Sequence, residues 1–144
     1  MKRILLLGAC LALVLNASAH LNDILGLWKT VDDKTGNNYS VIRIYQGADG
    51  LIYGKVAMML MGPKDLRCEA CRGEDHNAPL EGLMIIRGMS YSSAHDELKG
   101  GKVLDPESGK FYYGKIYPKD GKLVLRGSID RFSILGRNQT WIRP

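Results

Sequence analysis

Cysteine and histidine side chains that lie close together in the sequence are the first candidates for chemistry in this chain. Cys68 and Cys71 are separated by two residues, and His76 follows shortly after them. Such a cysteine pair forms a local disulfide, acts as a redox pair, or supplies thiolate ligands to a metal. A redox pair needs a helix N-terminus, and a zinc site needs a fourth ligand beyond these three residues. The surrounding sequence predicts neither, so we favour a structural disulfide between Cys68 and Cys71 and predict no metal and no cofactor.

The other residue patterns that could indicate catalysis are less specific than the cysteine pair. His95 lies in the polar segment 92–97, which carries no G-x-S-x-G nucleophile motif. The segment 105–110 fails the spacing of a phosphate-binding loop and has the composition of a turn. The acidic pairs of the chain also fall in turn-like segments, so no pair of carboxylates is predicted across a cleft. We therefore predict that the protein is not an enzyme.

Methionines cluster near the cysteine pair, at Met58, Met59 and Met61, with Met84 and Met89 further along. Methionine fills irregular cores and also lines adaptable apolar pockets. Both interpretations remain open from the sequence, and a methionine-based copper site is a third.

The N-terminus has the pattern of a secretory signal peptide. Lys2 and Arg3 precede an apolar run over 4–15, and the small residues 17–19 form a cleavage pattern. The run is too short to cross a bilayer, which takes about 20 residues. Residues 1–19 are therefore predicted to be removed, and the mature protein, with no membrane-spanning segment, is predicted to be periplasmic or secreted. A lipoprotein acylated at Cys10 and a buried N-terminal helix are the alternatives.

Length and composition favour one globular domain over residues 20–144. The chain of 144 residues is 45% hydrophobic and 24% charged, which is ordinary for a folded domain. The formal charge is +5, and without Lys2 and Arg3 it falls to +3, because 18 basic residues then face 15 acidic ones. This weak basic bias is not the footprint of a nucleic-acid-binding protein, and no nucleic-acid partner is predicted.

Apolar residues alternate with a period of two along most of the chain, which predicts β-strands. Turn-forming residues separate the predicted strands, which cover 27–31, 39–46, 51–60, 82–92, 101–104, 110–118 and 122–130, with one or two more in 131–143. Residues 22–26 are predicted as a short helical turn and 61–80 as a long loop. About eight to ten strands at this spacing predict an all-β protein, an antiparallel up-and-down barrel that leaves no free edge.

Alternation also predicts which residues face the interior. Lysine and arginine side chains in a strand point outward, so residues of the opposite parity point inward. The predicted inward residues, which are the candidate ligand contacts, are Ile42, Ile44, Val56, Met58, Met84, Ile86, Tyr112, Ile116, Leu123 and Leu125. Tyr112 or Ser40 would orient a ligand through a polar group.

A longer array of residues resembles a known family. Gly26-x-Trp28 resembles the first signature of the calycins, the superfamily of lipocalins and fatty-acid-binding proteins. Together with Cys68-x-x-Cys71, the segment 105–110 and the end Leu135 to Arg143, the array is similar to a family of small secreted bacterial proteins of unknown function. The resemblance implies a lipocalin-like barrel whose Trp28 packs at the closed end beneath Arg143, or less favourably Arg137. It implies no activity.

The sequence thus favours a binding protein that holds a small apolar ligand, such as a fatty acid or another lipid-like molecule, inside the barrel. The alternative is a structural or protein-interaction module of the cell envelope, with a filled barrel and outward tyrosines as its contact surface. A homodimer is one form that such a module would take. A redox or metal protein that uses Cys68, Cys71 and His76 is a third, less favoured hypothesis.

Overall fold

The computed structural model describes residues 20–132 and 134–144, which form a sheet of nine β-strands. These are β1 Gly26–Val31, β2 Asn38–Gln46, β3 Ile52–Met59, β4 Met84–Ser92, β5 Glu97–Lys99, β6 Lys102–Asp105, β7 Lys110–Lys119, β8 Lys122–Ser128 and β9 Gly136–Ile142. A helical turn covers residues 20–24, and a 3₁₀ turn covers Gly73–Asp75. The predicted signal peptide lies outside the described residues. Within them, no helix has the length and apolar character needed to span a membrane.

The sheet closes on itself as an antiparallel barrel. Strands that are consecutive in the chain lie side by side, and β9 pairs with β1 to complete the ring. β5 and β6 both lie between β4 and β7, so they act as one broken strand and the barrel has eight strand positions. The break falls at Gly100 and Gly101, where a Cβ on Gly101 would overlap the carbonyl oxygen of Arg87. The predicted up-and-down, lipocalin-like barrel is confirmed.

The two ends of the barrel differ. The helical turn 20–24 and the short connections 47–51, 93–96 and 120–121 lie at one end, which we call the closed end. The connections 32–37, 60–83, 106–109 and 129–135 lie at the other, the open end. The alternating direction of the strands places the long cysteine-containing connection at the open end, where the methionine cluster also begins.

Two local predictions need correction. The segment 92–97, predicted as a polar loop, is not entirely loop, because Ser92 ends β4 and Glu97 begins β5. The Glu97 carboxylate lies 3.0 Å from the ammonium of Lys115. The helical turn lies two residues earlier than predicted, at 20–24. The segment 131–143 contains one strand, β9, which agrees with the predicted one or two, and its first residues belong to a loop.

The prediction that Met58 points into the barrel is wrong. Val41 pairs with Met58 but Ile42 pairs with Val56, so Ala57 is an extra residue in β3. Such a β-bulge reverses the side to which the following residues point. The side chain of Met58 is 53% exposed, and Met59 packs against the core in its place.

The same physical cause overturns the inward orientation of Met84. This residue pairs with Lys55 on the outer face, and the next paired residue of β4 is Ile86, so Ile85 is extra. The hydroxyl of Tyr45, another outward side chain, donates a hydrogen bond to the Met84 sulfur at 3.6 Å. Met84 therefore belongs to the outer surface, whereas Ile85 and Ile86 are buried.

Candidate functional site

The closed end is sealed by the tryptophan of the Gly26-x-Trp28 motif. The Trp28 indole N–H donates to the carbonyl oxygen of Ile24 at 2.7 Å, which ties the helical turn to β1. The guanidinium of Arg143 lies 3.8 Å from the centre of the Trp28 ring, as the family resemblance predicts. Arg143 also donates to the carbonyl oxygens of Asp23, Leu25 and Leu27. These contacts join the helical turn and the start of β1 to the residue that follows β9, across the bottom of the barrel.

Four predicted ligand contacts lie too deep to reach the cavity. Ile44, Ile86, Ile116 and Leu123 are fully or almost fully buried, and none of them lines the cavity described below. Gly54 belongs to the same packed layer, because a Cβ there would come within 2.7 Å of the Ile86 side chain. The lower half of the barrel is therefore a solid core that supports the site.

The upper half of the barrel encloses a cavity of about 1240 Å³ that reaches the open end. Its size exceeds the roughly 300–1,000 Å³ of typical small-molecule sites. Of the predicted contacts, Ile42, Val56, Tyr112 and Leu125 line it. The apolar lining also includes residues that parity did not select, namely Met59, Leu66, Leu80, Ile85, Val103, Leu104 and Trp141. Met59 and Ile85 lie at or after bulges, and Leu66 and Leu80 come from the cysteine loop, so strand parity alone had no means of finding these four. Val103, Leu104 and Trp141 lie in β6 and β9, for which no inward residues were predicted.

A polar strip crosses this lining on β1, β2 and β9. The hydroxyls of Thr30 and Ser40 lie 2.9 Å apart, and the Trp141 indole N–H donates to the Gln139 side chain at 3.4 Å. Among the described residues, no buried side-chain nitrogen or oxygen lacks a hydrogen-bond partner. The buried polar side chains of the strip already have hydrogen-bond partners, so they do not require water on the apolar wall of the cavity that faces them.

Arg137 lies at the open end of the barrel, next to the polar strip. It pairs with Gly127 across β8 and β9 and lines the cavity, two residues along β9 from Gln139. It lies at the opposite end of the barrel from Trp28, so Arg143 and not Arg137 covers the tryptophan. In the described part of the chain, the side chain of Arg137 has neither a hydrogen-bond nor an ion-pair partner. A cationic group therefore remains available at the mouth of the cavity.

The cysteine loop forms one wall of the mouth. Cys68 and Cys71 form a buried disulfide, and the sulfur of Cys68 lies 3.4 Å from the carbonyl oxygen of Pro106. Gly109 contacts this loop directly, because a Cβ there would overlap the backbone carbonyl of Ala70. The disulfide thus fixes residues 68–71 of the loop 60–83, and this segment packs against the turn between β6 and β7.

The arrangement around the disulfide does not resemble a metal centre. Both sulfurs are bonded to each other, and the Nδ1 of His76 lies 3.0 Å from the backbone oxygen of Cys71. Within residues 20–132 and 134–144, no group of three or more His, Cys, Asp or Glu side chains is placed to hold a metal ion. A thiolate site for a metal would first require reduction of the disulfide.

We expect replacement of both cysteines by serine to lower the free energy of unfolding by no more than about 3 kcal/mol, because the loop that the disulfide closes is very short. The effect should be concentrated at the open end, where the disulfide locks the loop. Hydrogen exchange should show faster exchange in residues 60–83 and unchanged exchange around Trp28. Uniform destabilisation of both ends would contradict this role.

Comparisons with known proteins agree with this geometry. A lipocalin-like barrel with one sealed and one open end is the class that the fold defines. Residues 26–143 match the family model described as an uncharacterized protein conserved in bacteria, DUF2147, and the chain belongs to this family. The structure is similar to that of protein HP1028 from Helicobacter pylori, which is described as belonging to the lipocalin family. The TM-score is 0.72 at 20% identity, over 83% of this chain and 82% of that chain. No curated protein matches.

Proposed function

We propose that the protein is an exported, periplasmic or secreted, binding protein that holds a small, mainly apolar ligand in the upper half of its barrel. The observation that carries this proposal is the cavity of about 1240 Å³ above a solid core. A barrel filled by its own side chains, as the interaction-module hypothesis requires, would leave no such space. The lipocalin-like fold agrees with small-ligand binding in general.

The lining favours an amphipathic ligand with a fatty-acid or lipid-like tail. Apolar side chains such as Val56, Ile85 and Leu125 surround the inner part of the cavity, where burial of a tail contributes about 25 cal/mol per Å². Tyr112, Gln139 and Arg137 provide polar groups on the way to the mouth. A carboxylate head group that reaches Arg137 would pair with its guanidinium, whereas the carboxylates of Asp32 and Asp105 on other turns of the mouth would repel it. The preference for an anionic head group therefore depends on contact with Arg137.

The head-group preference is tested with ligands that share one tail. Dodecanoate should bind more tightly than dodecanol, and dodecylamine most weakly, in a displacement titration. Arg137→Gln should remove the advantage of dodecanoate over dodecanol, a loss of about tenfold in affinity for the carboxylate alone. Arg43→Gln, which changes an exposed outward arginine of β2, is the matched control and should bind all three ligands as the wild type does.

The titration results distinguish the role of Arg137 from the existence of an apolar site for the tail. Equal affinities for all three ligands would retain the apolar site but contradict the role of Arg137. If none of the three ligands binds, the proposal that the ligand has a fatty-acid-like tail is contradicted.

A further inference from the structure

The loop between β8 and β9 exposes four large apolar side chains near the open end, and one of them, Phe132, also lines a surface pocket with Lys115 and Arg126. Ile129, Phe132, Ile134 and Leu135, which we call the apolar rim, are between 62% and 78% exposed. Ile129 and Leu135 also line the cavity, so the rim is continuous with the binding site. Exposed apolar clusters of this kind are typical of surfaces that contact a membrane or another protein.

The backbone of this loop is held by hydrogen bonds. The Asp130 carboxylate accepts bonds from the N–H groups of Ile134, Leu135 and Phe132 at 3.1, 2.7 and 3.0 Å. These bonds, the one from Ile134 foremost, lower the pKa of the Asp130 carboxyl below its ordinary value. The N–H of Ile129 also donates to the carbonyl oxygen of Leu135 at 3.1 Å. The loop thus presents its apolar side chains from a defined conformation.

The charge around the rim indicates what it contacts. Arg131 lies within the loop, and Arg126 and Arg137 flank it on β8 and β9, with Arg126 donating to the carbonyl oxygen of Ile134 at 3.0 Å. The loop's one carboxylate, on Asp130, is turned toward backbone N–H groups. An apolar cluster with basic neighbours complements a bilayer with anionic head groups, whose interior takes the apolar side chains while its surface attracts arginine.

Acidic residues on the neighbouring turns restrict this contact. Asp32 and Asp33 follow β1, Asp105 ends β6 and Glu107 lies in the turn after it, on the two sides of the loop. Asp96 and Glu97 line the surface pocket that also contains Phe132. Anionic lipid would repel them, so only the rim side of the mouth can approach the bilayer closely. The association should therefore be weak, reversible and sensitive to salt.

We propose that the apolar rim docks the open end of the barrel onto an anionic lipid bilayer. Phe132 and Ile134 insert among the acyl chains, while Arg131 contacts lipid phosphates. Docking brings the cavity mouth to the membrane surface, where a lipid-like ligand enters or leaves without crossing bulk water. The docking itself depends on the rim and not on the cavity contents, so it is tested independently of the proposed ligand.

Vesicle sedimentation tests the docking. The protein is purified from its host, its N-terminus is established by mass spectrometry, and it is mixed with phosphatidylcholine vesicles with or without about a third of phosphatidylglycerol. We expect binding to the anionic vesicles that falls as salt is added. The double variant Phe132→Ser and Ile134→Ser should lower the partition coefficient at least about tenfold, because two exposed apolar side chains no longer insert. These two residues do not line the cavity, so dodecanoate binding should be unchanged.

The control places the same chemical change at the opposite end. Leu27→Ser alters a 43% exposed leucine near the closed end and should bind vesicles as the wild type does. Absence of wild-type binding, or equal binding by the rim variant, would overturn the proposal. Concentration-dependent dimerisation of the wild type that is lost in the rim variant, without vesicle binding, would overturn it in favour of self-association.

Discussion

Replacement of Gly127 by phenylalanine is expected to abolish ligand binding while the protein remains folded. Gly127 lies on the inner face of β8 and lines the cavity, and a Cβ there would come no closer than 3.7 Å to Tyr112. The added ring therefore extends into empty space that the ligand needs. We expect affinity for dodecanoate to fall at least about 100-fold, because Gly127 pairs with Arg137 and the ring fills the space at the mouth through which the ligand enters and in which its head group lies.

The thermal stability of Gly127→Phe should not fall with its affinity for the ligand. Glycine in a strand interior is unfavourable by roughly 0.5–1 kcal/mol, so Gly127→Phe should unfold at the wild-type temperature or above it. Gly127→Ala is the matched control, because one methyl group leaves most of the cavity open and binding intact. Wild-type affinity in Gly127→Phe, measured by the same displacement titration, would show that the ligand binds elsewhere.

Trp28→Ala is expected to have the largest effect on stability, about 3–5 kcal/mol of unfolding free energy. Trp28 is 3% exposed, donates to Ile24 and carries the guanidinium of Arg143 on its face. Its removal leaves a cavity at the closed end, an unpaired carbonyl oxygen and an arginine without its aromatic partner. Denaturant unfolding followed by circular dichroism measures the loss.

Two variants separate these contributions. Trp28→Phe retains much of the burial and loses the indole hydrogen bond, while Arg143→Gln removes only the stacked cation and its bonds to exposed backbone. Each should cost less than Trp28→Ala, with Arg143→Gln near 1–2 kcal/mol, an order-of-magnitude figure for a partly exposed group. A larger loss in Arg143→Gln than in Trp28→Ala would contradict the idea that the tryptophan organises the closed end.

Alternation along the strands predicted the barrel and much of its interior, because every second residue of a regular strand faces the same side. Ile42, Ile44 and Leu125 are buried as this argument requires. It failed at Met58 and Met84, where bulges at Ala57 and Ile85 insert one residue and reverse the alternation. A bulge depends on how two strands align, and the residues of one strand do not specify that alignment.

Alternation also does not predict how far along the barrel axis an inward side chain lies. Leu123 and Leu125 lie on the inner face of the same strand, β8, two residues apart. Leu125 lines the cavity, whereas Leu123, which is nearer the closed end, lies in the packed core. Arg137 was likewise considered as a cover for Trp28, and only the strand direction places it at the mouth. The predicted strand 122–130 extended two residues into the β8–β9 loop, because β8 ends at Ser128.

Native mass spectrometry of the protein purified from its own host tests the binding role most directly. We predict a bound mass of roughly a few hundred daltons, the size of a ligand that fits such a cavity, which is lost on denaturing extraction and identified as lipid-like. Gly127→Phe prepared in the same way should carry no such mass. A wild-type protein that carries no bound molecule, and acquires none when dodecanoate is added, would contradict a binding function for the cavity.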